Sequence, residues 1–155
     1  MANAILVINA GSSSIKFSVF LEQGDNLFPE FKGQIEGLSD APHLSAYTME
    51  GVLLGECSWP AGTQLGHDDA MSALMEMLPE WLMEDRIVAI GHRVVHGGME
   101  FVAPVRIDAA MVQKLETLTP LAPLHQPHNL APIKALLLQT PELPQVACFD
   151  TAFHH

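Results

Sequence analysis

Eight residues near the start of the chain, Asn9-Ala10-Gly11-Ser12-Ser13-Ser14-Ile15-Lys16, gather a carboxamide, three hydroxyls and an ammonium around one glycine. Small donors on a backbone that can approach a ligand closely suit phosphate oxygens and a hydrated metal. The stretch is not a Walker P-loop, which needs four residues between its glycines, then Gly-Lys-Ser/Thr, then a helix. Here a single glycine is followed by Phe17-Ser18-Val19-Phe20, a strand-like run. A plain β-hairpin turn rich in serine and glycine is the competing reading.

Three further polar clusters stand where strands or connections should end. They are His92-Arg93 with His96-Gly97-Gly98, Asp150-Thr151 with His154, and His125 with Asn129. Open α/β sheets bind ligands at their strand ends. Brought to one cleft, these clusters would supply a guanidinium, a carboxylate, an amide, hydroxyls and an ammonium, a set suited to an anionic substrate, a phosphoryl group and Mg²⁺. Each has a simpler alternative. Arg93 could pair with a surface carboxylate, and Asp150 could close a turn. His92, His96 and His125 could each be a structural histidine. No His/Cys/Glu trio has zinc spacing.

The elements that must carry these clusters can be read from periodicity. Residues 4–21 read as two strands around the polar turn, 31–38 as a third, and 44–59 as a hairpin insertion. Short connections make the first strands antiparallel neighbours. Met71, Leu74, Met75 and Leu78 then recur at helical spacing after Asp68-Asp69, in a Met-rich helix over 71–83 that weakens at Pro79. Ile87-Val88-Ala89-Ile90 is a strand. Asp108 is the N-cap of a second helix with Met111, Val112, Leu115 and Leu118 on one face. A third helix starts near Asn129, carries Leu130, Ile133 and Leu137, accepts Pro132 in its first turn and ends at Pro141. Pro120, Pro123 and Pro127 make 119–128 a stiff non-helical connection. Val146-Ala147-Cys148-Phe149 is the last strand. The order is an α/β mixed sheet: three antiparallel strands, then α-β-α-β.

At 155 residues, 48% hydrophobic and 16% charged, the chain is long enough for one domain with a real core. Its net charge of -11 argues against a nucleic-acid partner. Only seven Lys and Arg are present, so a cation beside a polar loop stands out. No leader sequence and no membrane-length apolar run is visible. Cys57 and Cys148 match no metal spacing and read as free thiols of a reducing compartment, hence a cytoplasmic protein.

Four segments together resemble the short-chain acyl kinases, the acetate and propionate kinases. They are Asn9 to Phe17, Gly91-His92-Arg93-Val94-Val95-His96-Gly97-Gly98, Ala122-Pro123-Leu124-His125, and Phe149-Asp150-Thr151-Ala152-Phe153-His154, in family order across the whole chain. The resemblance implies the actin, Hsp70 and sugar-kinase (ribonuclease H-like) superfold. It implies reversible transfer of the ATP γ-phosphoryl to a short carboxylate, with ATP and Mg²⁺ as cofactors and a homodimer at full length. It assigns Asn9 to the metal site, and Ser12, Ser14 and Lys16 to the phosphate-side loop. Arg93 would engage the carboxylate or acyl phosphate, Val95 and Leu124 would line the acyl pocket, His125 would be an active-site histidine, and Asp150 the catalytic aspartate.

The chain also departs from the family. Family enzymes are longer, and their second half carries the adenosine pocket. Residues 1–155 are therefore expected to form the N-terminal domain, inactive alone. His155 stands where Gln is usual, and Gln126 where Asn is commoner. A stand-alone binding domain for small anions or a partner, and a butyrate or sugar kinase fragment, are the other readings.

Overall fold

The computed structural model describes residues 2–94, 105–116 and 126–149. Among these residues eight strands form one sheet: β1 (Asn3–Ala10), β2 (Ile15–Gln23), β3 (Asn26–Glu36), β4 (His43–Thr48), β5 (Leu53–Ser58), β6 (Arg86–Val94), β7 (Val105–Arg106) and β8 (Gln145–Phe149). Their order is β5-β4-β3-β2-β1-β6-β8-β7. The helices are α1 (His67–Leu82), α2 (Ala109–Glu116) and α3 (Gln126–Gln139).

The first five strands form an antiparallel meander. After α1 the chain returns to lay β6 parallel to β1, and β8 lies parallel to β6. The mixed α/β sheet expected from the sequence is present. The 44–59 hairpin is a continuation of the sheet rather than an insertion, because β4 pairs with β3 from Phe31↔Thr48 to Glu36↔His43. β3 is also longer than the 31–38 expected, and the two-residue β7 was not foreseen.

Alternation decides the two faces of the sheet. In β1, Ala4, Leu6, Ile8 and Ala10 are buried, while Asn3, Ile5, Val7 and Asn9 are less so. Ile8 pairs with Phe17, and Leu6 with Ile90, so these share the helix-covered face. On that face Met71, Leu74, Leu78 and Leu82 of α1 are buried together with Ile133 and Leu136 of α3. Trp81 stacks on Phe17 at 6.4 Å between ring centroids and meets Phe31 edge-on at 6.1 Å. β5 admits the indole because residue 55 is glycine; a Cβ there would sit 2.7 Å from Trp81 Nε1.

α1 runs through Pro79 to Leu82, and Met83, at φ 58°, closes it by donating its amide to the Pro79 carbonyl. Asp108 caps α2 as expected, its carboxylate accepting from the Met111 amide at 2.8 Å. α3 begins at Gln126 rather than Asn129, so residues 126–128 of the expected stiff connection are helical. Pro132 is therefore the seventh helical residue, not a first-turn proline. Pro127 takes the first-turn place, where a missing N–H removes no helical bond. Among the described residues no helix is long and apolar enough to cross a membrane.

Candidate functional site

The register of the sheet builds a polar row across its other face, which no described helix covers. Asn9 pairs with Lys16, Lys16 with Gln34, Gln34 with Ser45, and Ser45 with Glu56. On the other side of β1, Ile8 pairs with His92, so the next residues along these parallel strands are Asn9 and Arg93. Arg93 is exposed and alternates with the buried His92, which places it on the same face as this row. Arg93 in turn lies opposite Cys148 of β8, and Val94 opposite Phe149. The C-terminal ends of β1, β6 and β8 therefore lie at one edge of the sheet, where α/β folds hold their ligands.

The turn joining β1 to β2 has an unusual hydrogen-bond balance. Three of its four carbonyls are engaged by the chain itself: Ser14 accepts from the Gly11 amide at 2.7 Å, and Ser13 from the Leu38 amide at 3.0 Å. Gly11 accepts from His67 at 2.7 Å. A carbonyl only accepts, so Nε2 of His67 carries the proton. The amides of Ser12, Ser13 and Ser14 have no partner among the described residues, nor do their hydroxyls or the Asn9 carboxamide. Backbone amides and hydroxyls left open together on one turn suit an anion. Gly11 itself is tight, since a Cβ there would lie 3.3 Å from the Ser14 hydroxyl.

His67 was not foreseen. It opens α1 and ties the helix to the turn. A single histidine before an acidic helix start has no sequence pattern to mark it. Beside it, a cleft lined by Ser12, Leu38, Gln64 and Gly66 flanks the turn.

His92 takes the structural alternative. It is buried on the helix-covered face and donates Nε2–H to Gln145 Oε1 at 2.6 Å. Burial pushes its pKa down to about 4, against which the Gln145 hydrogen bond acts. Its Nδ1 and the Gln145 amide nitrogen are buried without partners among the described residues.

Of the residues singled out in the sequence, the structure brings Asn9, Ser12, Ser14, Lys16 and Arg93 to one edge of the sheet. Val95, Leu124, His125 and Asp150 lie outside the described residues. Among those described, no group of three His, Cys, Asp or Glu side chains could hold a metal. The Asn9 carboxamide and the serine hydroxyls are neutral oxygen donors of the kind a hydrated Mg²⁺ accepts when phosphates supply the charge. Cys57 carries a free thiol.

Known proteins resemble this chain in sequence and in fold. The family model described as "Acetokinase family" matches residues 4–155. An acetate kinase of Nitrobacter hamburgensis is 46% identical over 98% of this chain, which covers 38% of that protein. Two solved structures superpose with TM-scores of 0.81. A propionate kinase from Francisella tularensis is 34% identical over 98% of this chain, and an acetate kinase from Porphyromonas gingivalis 31% over 97%. This chain covers 38% of each of those two. The fold is thus that of the acetate and propionate kinases, the actin-like α/β superfold. With its family model spanning residues 4–155, the chain belongs to the acetokinase family.

Proposed function

We propose that these 155 residues are the N-terminal domain of an acyl kinase, and hold the phosphoryl and acyl-phosphate side of a cleft that moves the γ-phosphoryl of ATP to acetate or propionate. The observation that carries this is the β1–β2 turn. The Gly11, Ser13 and Ser14 carbonyls are engaged, and the Ser12 to Ser14 amides and hydroxyls are open among the described residues, one strand away from Arg93. This chain spans about 38% of the length of such relatives, so the remainder of the cleft would come from sequence outside it, and the 155 residues alone should bind without turning over.

The chemistry asks for positioning more than for proton transfer. A carboxylate with a pKa near ~4 is already ionised at neutral pH, so its attacking oxygen has no proton to remove. Arg93 would hold the carboxylate by a bidentate contact, which fixes the line of attack. The turn amides, the Ser12 and Ser14 hydroxyls and Lys16 would meet the growing charge on the transferred group. Asn9, and Asp150 directly after β8, would hold Mg²⁺ or its waters; that ion would neutralise phosphate charge. Val95, Leu124 and His125 would contact the acyl end. A homodimer of the full-length enzyme and a cytoplasmic location accompany this reading.

Arg93→Lys keeps the charge and loses the fork. Titration calorimetry with acetyl phosphate should show binding at least about tenfold weaker, equivalent to ~1.4 kcal/mol. Equal affinity of the two proteins would refute the assignment of Arg93.

A further inference from the structure

We propose that the face of β2, β3 and β4 that no described helix covers is a polyphosphate-binding groove in which Lys32 and Tyr47 extend the donor set of the turn. The inference rests on the phosphoryl-transfer reading for the class of ligand. Apart from Lys16 and Phe17, however, its residues belong to none of the segments that carry the family resemblance.

The groove holds about 360 Å³ and is lined by Lys16, Ser18, Lys32, Gln34 and Tyr47 over the backbone of Phe17 and Gly33. That volume falls within the range of small-ligand clefts. Register explains why these side chains converge. Lys16 pairs with Gln34, Ser18 with Lys32, and Lys32 with Tyr47, so all five point to one face. Lys16 and Lys32 are then diagonal neighbours across β2 and β3, within reach of one another.

Electrostatics makes the arrangement informative. The chain has seven Lys and Arg against 18 Asp and Glu. Two of those few cations stand together on one sheet face, where like charges repel. Among the described residues neither forms an ion pair. Of the acids on the same face, Glu56 is engaged by His43 at 3.3 Å and Glu22 accepts from the Asn3 carboxamide at 3.3 Å, while Glu36, opposite His43, is the other diagonal neighbour of Lys16 and forms no ion pair with it among the described residues. A shared anion resolves the repulsion. With a serine hydroxyl, a carboxamide and a phenol around the two ammonium groups, the donor set matches an extended chain of phosphates rather than a single carboxylate. The groove also meets the turn directly, since Lys16 belongs to both and pairs with Asn9.

Amide-resolved NMR titration with tripolyphosphate, and in parallel with ADP, tests this. Shifts are expected at Ser18, Lys32, Gln34 and Tyr47 as well as at Ser12 to Ser14. Lys32→Gln should weaken tripolyphosphate about fivefold or more, Lys32→Arg should restore most of the loss, and added salt should narrow the difference between them. Because Lys32 is exposed, these variants should melt with the parent. ADP binding tighter than tripolyphosphate at the same residues would identify a nucleotide tail; the reverse would identify free polyphosphate. Shifts confined to the turn, with Lys32→Gln unchanged, would overturn the groove and leave the acyl kinase reading standing. Shifts in the groove with a silent turn would uphold the groove and count against that reading.

Discussion

The two faces of the sheet present opposite solutions to the same alternating strands. On the covered face, Leu6, Ile8, Phe17, Val19 and Ile90 are buried together with α1 and α3. On the other, Asn9, Lys16, Ser18, Lys32, Gln34 and Arg93 carry donors outward from the same backbone. The covered face holds the strands in register, and the register sets which donors stand beside one another. Stability and chemistry are thereby separated by a single residue step, Ile8 to Asn9 or His92 to Arg93.

That separation can be broken most strongly from the covered side. Leu74 is fully buried in α1. Leu74→Ala should cost roughly 2–5 kcal/mol in urea unfolding, the range for an emptied core site. Lys16→Gln, on the other face, should stay within about 0.5 kcal/mol of the parent. Similar losses in both would show that the faces are not divided as described.

His92 sits at the boundary and makes the covered face sensitive to pH. Its pKa in the folded chain is lowered from 6.5 to about 4. As pH falls, the unfolded chain therefore takes up the proton first. The stability contributed by the neutral imidazole is complete above pH 6.5 and is lost progressively towards pH 4. At 1.36 kcal/mol per pH unit the loss amounts to about 3 kcal/mol. Unfolding measured at pH 7 and pH 5 should show this slope, and His92→Gln should flatten it.

The smallest effect lies away from both faces. Asp108 is exposed and caps α2 through the Met111 amide. Asp108→Ala should lower stability by about 1 kcal/mol without altering anion binding. A change in acetyl phosphate affinity would link α2 to the site.

Much of this division was legible before the structure. β1 and β2 are legible because two short apolar runs, Ile5 to Ile8 and Phe17 to Phe20, stand on either side of a polar turn. The Asp108 cap was legible because Asp precedes a helical apolar pattern. The start of α3 was misplaced because Pro127 reads as a breaker, whereas in a first turn its missing N–H is harmless. β7 has two residues, too few for any period to show. Of the proposed site, Asn9, Ser12, Ser14, Lys16 and Arg93 stand out in the sequence because each lies at or beside a strand end. His67 and Lys32 do not. One acts through a carbonyl 56 residues away in sequence, and the other is defined by its neighbours on β2 and β4.

The central claim is that the β1–β2 turn keeps its amides open for a phosphoryl group. The most direct measurement is the amide NMR response of Ser12, Ser13 and Ser14 to acetyl phosphate. Saturable downfield shifts at these three amides are expected, with the Leu38 amide, already bonded to Ser13, shifting little. Silence at all three up to millimolar acetyl phosphate, with the protein folded, would contradict the account.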